Sequence, residues 1–62
     1  MKAKEIRDLG TAEIEQRLEE ETTSLSQLEF QHAVADLEDP MVLRRKRRLI
    51  ARLRTILSEK AD

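Results

Sequence analysis

Cysteine is absent from the 62 residues, which excludes disulfide scaffolds, thiolate-ligated zinc and iron–sulfur centres. Trp and Tyr are also absent, and Phe30 is the single aromatic. A protein that holds single strands by stacking bases on aromatic platforms is therefore a poor fit. With one glycine (Gly10) and one proline (Pro40), the chain has no Gly-rich phosphate loop. No apolar run reaches the roughly 18–20 residues that a bilayer-spanning helix needs. The opening Met1-Lys-Ala-Lys-Glu-Ile-Arg-Asp8 lacks an apolar h-region, so it does not read as a secretory signal, and the expected compartment is the cytoplasm. Nowhere does the period-2 alternation of a strand appear, and no internal repeat is visible.

What is present is charge. Charged residues make up 40% of the chain and hydrophobic residues 39%. A chain this short buries only about 60% of its unfolded surface, so one domain is the upper limit and its own core is small. The net charge of −1 conceals a division between the two parts of the chain. Residues 1–40 carry four basic side chains against eleven acidic ones, a balance of −7. Residues 41–62 carry eight basic against two acidic, a balance of +6. Such asymmetry points to a polyanion-binding segment joined to a solvated acidic one.

The single Gly and Pro punctuate the chain. Residues 2–9 read as a short helix with Ile6 and Leu9 on one side. Gly10 or Thr11 can cap the next helix, and Glu13 stands where a capping box places its acid if Gly10 is the cap. That second helix is expected over 11–35, with Ile14, Leu18, Leu25 and Leu28 on one stripe that Glu21 and His32 complete. A turn at 36–39 follows. Asp39-Pro40 then starts a third helix over 40–59 whose apolar positions are Val42, Leu43, Leu49, Ile50, Leu53, Ile56 and Leu57. Two long helices joined so closely must lie antiparallel. The expected fold is all-α: a coiled-coil-like two-helix hairpin with a short N-terminal helix. A turn centred near Glu38 would set Leu28 level with Leu49, Leu25 with Ile50 and Leu53, and Leu18 with Leu57. Ile6 and Leu9 would close the open end.

On a wheel of about 100° per residue, the third helix separates into an apolar arc and an arginine-rich face. Arg44, Arg45, Arg48 and Arg52 lie on one side of a strip of small residues, Ala51 and Thr55, and Arg47 and Arg54 on the other. Small residues there let a nucleic-acid backbone come close, while planar guanidinium forks on both sides suit phosphate oxygens. No Asp or Glu occurs from Met41 to Ser58. A solvated face of no special function normally mixes both signs. Backbone recognition of folded RNA by charge and shape is the reading that fits. Neither a dimerising zipper nor a helix-turn-helix accompanies the basic segment, so DNA sequence reading is disfavoured.

Other features are less pointed. Phe30, Val34 and Leu37 share the side of the second helix opposite the seam, which makes them either local packing around the turn or a candidate protein-docking patch. His32, alone in the stripe, reads as a packing residue. Glu19, Glu20 and Glu21 are consecutive and splay around the helix, and no Ser–His pair or carboxylate–His metal spacing exists. No enzyme, metal, cofactor, small-molecule substrate or membrane partner is expected.

Three segments carry a resemblance. The opening Met1-Lys-Ala-Lys-Glu-Ile-Arg-Asp-Leu9, the run Glu38-Asp-Pro-Met41, and Arg47-Arg48-Leu49-Ile50-Ala51-Arg52-Leu53-Arg54-Thr55 together resemble the large-subunit ribosomal proteins of universal family twenty-nine. The likeness covers the whole chain, and Arg-Arg-x-Ile-Ala-Arg is its most specific part. It implies a helical protein bound to large-subunit ribosomal RNA beside the polypeptide exit tunnel, next to the large-subunit protein of family twenty-three, where targeting and chaperone factors dock. Carried onto this chain, it assigns RNA contact to Arg47, Arg48, Arg52 and Arg54, with Lys2, Lys4 and Arg7 as helpers. Arg44, Arg45 and Thr55 are added by the wheel. The chain departs from the family's usual pattern at Ala35 (commonly Gly), at Glu29 before the aromatic (often Arg), and at Leu49 (commonly acidic). The competing reading is a free-standing helical interaction module that binds an acidic partner through the same arginines. A chorismate-mutase-like enzyme would need a longer chain and an enclosed pocket.

Overall fold

The computed structural model describes residues 1–35 and 41–61. Among them are three helices, α1 (Ala3–Arg7), α2 (Thr11–Ala35) and α3 (Met41–Ala61), and no strand. The molecule measures 40 × 17 × 15 Å. That length is close to what 25 residues of helix reach at about 1.5 Å per residue. The expected all-α hairpin with a short leading helix is what forms. The turn at 36–39, the Asp39-Pro40 start signal and Leu37 lie outside the described residues.

The short helix is a single turn of 3–7 rather than 2–9. At five residues it has no cooperative stability of its own. Ile6, with no solvent exposure, anchors it in the core. At the start of α2, Ile14 N–H donates to Gly10 C=O at 3.0 Å. The Glu13 carboxylate folds back to within 3.6 Å of where a Gly10 Cβ would stand. α2 continues to Ala35, so the missing family glycine does not shorten it.

The core is small. Ile6, Ile14, Leu53 and Ile56 form a buried cluster, and Ala3, Leu9, Leu18, Leu49 and Leu57 pack against it. Leu43 and Ile50 are buried further along α3. All three helices meet at this end of the hairpin. Leu49, which stands where the family commonly has an acid, is half-buried against that cluster.

Two ion pairs cross the seam. Lys46 Nζ lies 2.7 Å from Glu21 Oε2, and Arg47 Nη2 lies 3.5 Å from Glu29 Oε1. Leu18 and Leu57 pack against the same cluster. Glu21 is buried, at 7% exposure, and a buried carboxylate needs a cation within reach. Lys46 supplies it, with Arg17 a turn before Glu21 at 3.4 Å.

Phe30 and Val34, on the side of α2 opposite the seam, are 70% and 71% exposed. His32, on the inner stripe, is half-buried.

Candidate nucleic-acid interface

Helix α3 buries Leu43, Ile50, Leu53 and Ile56 and turns every arginine outward. Arg44, Arg45, Arg48 and Arg54 are exposed, with no hydrogen-bond or ion-pair partner among the described residues. Arg47 pairs with Glu29 across the hairpin, with both side chains about half exposed. Such a pair contributes at most about 1 kcal/mol. Glu29 is one of the departures from the family pattern, and this is what it touches. Arg52 Nη1 donates to Met1 C=O at 3.2 Å. Thr55 donates its hydroxyl to Ala51 C=O at 2.9 Å, which leaves it as a small spacer rather than a donor to a ligand. With Ala3, Ala51 and Ile56 it lines a shallow groove flanked by Arg7 and Arg52.

This concentration of charge is unfavourable for the free helix. Arg44–Arg48 and Arg48–Arg52 are i,i+4 like-charge pairs, and Arg44–Arg47 and Arg45–Arg48 are i,i+3. Each costs about 0.2–0.5 kcal/mol. Among the described residues these six arginines have one carboxylate partner, Glu29.

The N-terminal segment joins this face. Arg52 holds Met1 at one end, and Lys60 Nζ donates to Arg7 C=O and Leu9 C=O, each at 2.6 Å, at the other. Residues 1–9 therefore run alongside 52–60 in the same direction. Lys2 and Lys4, both exposed and with no partner among the described residues, belong to the segment that runs alongside α3. Arg7 is also exposed but shares its charge with Glu59 at 3.6 Å. Lys60 was not legible as part of this arrangement, because nothing in the local sequence shows that a carbonyl from residues 7–9 will pass it.

The opposite side carries the other sign. Glu19 and Glu20 line the outer surface of α2 with Gln16, Thr23, Ser24 and Gln27. Among the described residues no group of His, Asp and Glu is placed to hold a metal ion. No helix of the described residues is long and apolar enough to cross a membrane.

The molecule is a small all-α protein, a three-helix hairpin with one arginine-rich and one acidic face. The family is shown by comparison with known sequences. The model described as "Ribosomal L29 protein" matches residues 4–60. The chain is 50% identical over 60 residues to the "Large ribosomal subunit protein uL29" of Moorella thermoacetica, covering 97% of this chain and 90% of that one. It is 48% identical to the protein of that name from Caldanaerobacter subterraneus (97% and 91%) and 44% identical to that from Desulfatibacillum aliphaticivorans (95% and 95%). The chain belongs to the ribosomal L29 protein family. It is a structural component of the large subunit of the cytoplasmic ribosome, not an enzyme, and it associates there with ribosomal RNA and other ribosomal proteins.

Proposed function

We propose that this protein anchors to large-subunit ribosomal RNA through the outer face of α3, using Arg44, Arg45, Arg47, Arg48, Arg52 and Arg54, with Lys2, Lys4 and Arg7 of the N-terminal segment alongside and Thr55 as spacer. The whole chain serves as one unit, and its site is beside the polypeptide exit tunnel, next to the large-subunit protein of family twenty-three, within reach of targeting and chaperone factors. The observation that carries RNA anchoring is the row of exposed arginines on α3, of which Arg44, Arg45, Arg48 and Arg54 have no partner among the described residues. The tunnel-exit position and the neighbours follow from family membership alone. A free-standing module with an acidic protein partner explains the arginines equally well, but not the family.

The test is the salt dependence of binding to in vitro transcribed large-subunit ribosomal RNA. If about six phosphates are neutralised, log affinity falls against log salt with a slope of about −4 to −5. A flat response would rule the mechanism out. Arg48→Glu is expected to weaken binding about 10–100-fold. Glu20→Lys, on the far side of α2, should weaken it not at all.

Phe30 and Val34 extend the proposal to a protein contact. They sit near the end of described α2, on the side opposite the seam, and a neighbouring large-subunit protein is the occupant proposed for them. Being 70% and 71% exposed, they add little to the free fold. Phe30→Ala and Val34→Asp should therefore lower incorporation into large subunits while leaving the melting of the free protein within about 0.5 kcal/mol. Melting of the free protein by both variants would show that the patch is core.

A further inference from the structure

We propose that Lys60 is a positioning residue for RNA binding: its ammonium group clips the N-terminal segment onto α3 so that Lys2 and Lys4 add to the arginine face. This rests on the RNA-anchoring reading and extends it to a residue that carries no RNA contact itself. The geometry is specific. Lys60 Nζ donates to Arg7 C=O and to Leu9 C=O, both at 2.6 Å. Those carbonyls belong to the end of a five-residue helix and the connection to α2. Leu9 N–H bonds to Ile6 C=O, Asp8 N–H to Lys4 C=O and Ile14 N–H to Gly10 C=O. Arg7 and Leu9 thus offer their carbonyls outside the backbone ladder. A cation at the C-terminal end of a helix is favourable, and a lysine that arrives from another helix satisfies orphan carbonyls while tying two elements together.

Few other polar interactions hold this segment. Arg7–Glu59 is an exposed pair at 3.6 Å and Arg52–Met1 a single bond at 3.2 Å. Ile6 is buried in the core, and Ala3 and Leu9 pack partly buried against the same cluster. Without Lys60, residues 1–9 keep these apolar contacts and lose the polar clamp at the α2 end, so the two lysines spend less time beside α3. Two of the three ammonium protons of Lys60 are engaged by carbonyls, which sets it apart from the unpartnered arginines.

A double-mutant cycle separates positioning from direct contact. The parent, Lys60→Met, Lys2→Gln/Lys4→Gln and the triple variant are titrated, as full chains, with in vitro transcribed large-subunit ribosomal RNA across a range of salt. Methionine keeps the stem and removes the charge. Lys60→Met should lower affinity about tenfold and make the salt slope shallower by about two, as the loss of two distant phosphate contacts would. In the Lys2→Gln/Lys4→Gln background the same substitution should change affinity less than about twofold and leave the slope where it is. An equal loss in both backgrounds would overturn the proposal, because Lys60 would then be touching RNA or supporting the fold. No effect of Lys2→Gln/Lys4→Gln would overturn it too, while Arg48→Glu reports separately on the arginine face. Helicity measured by circular dichroism should stay at the parent level in Lys60→Met. A collapse there would show that the clip holds the core rather than the basic segment.

Discussion

Leu53→Ala is expected to cost about 3–4 kcal/mol and to unfold the free chain. Leu53 has no solvent exposure and stands with Ile6, Ile14 and Ile56 where the three helices meet. Truncation there removes contacts to all three at once, and the partners are too few to close over the space left behind. A domain of this size holds only a few kcal/mol in total, so the loss approaches its whole stability. Leu25→Ala is the contrast. Leu25 is half-buried and faces the charged middle of the seam, so its truncation should cost about 1–2 kcal/mol. Thermal melts followed by circular dichroism check both. Adding ribosomal RNA at about 100 times Kd should return about 2.7 kcal/mol to either variant by mass action. Equal losses for the two leucines would show that the core is spread evenly along the hairpin.

The buried pair in the seam gives the second large effect, and its sign depends on which group is removed. Arg17→Met with Lys46→Met leaves the Glu21 carboxylate nearly inaccessible and without a cation, and should cost about 3–5 kcal/mol. Lys46→Met alone should cost about 2 kcal/mol, because Arg17 stays within 3.4 Å. Glu21→Leu together with Lys46→Leu should cost nothing or stabilise, because two desolvated charges give way to apolar contacts in the same stripe. Urea unfolding at low and high salt distinguishes the three. If Arg17→Met/Lys46→Met unfolds at the parent's midpoint, Glu21 is not held by these cations.

Much of the molecule could be read from the chain. Gly10, Glu13 and the spacing of Ile14, Leu18, Leu25 and Leu28 specify where α2 begins and which side of it is apolar, because capping and a 3.6-residue period are local properties. The arginine face of α3 was equally legible, since Leu43, Ile50, Leu53 and Ile56 must turn inward and the arginines then have one direction left. Resemblance in the opening, around Pro40 and in Arg47–Thr55 was enough to name the family.

Glu21 and Lys46 mark where that reading stopped. In the sequence each is an interruption of an apolar stripe. In the structure they are each other's partner across the seam. Lys60 was equally hidden, a terminal lysine whose two carbonyl partners lie more than fifty residues earlier. The sequence by itself determined the helices, their inward faces and the charge each turns outward, because these follow from interactions within one or two turns. Only the tertiary structure decided the seam ion pair and the path of residues 1–9 along α3. Both join residues far apart in the chain, and a buried charge left without its partner is costly.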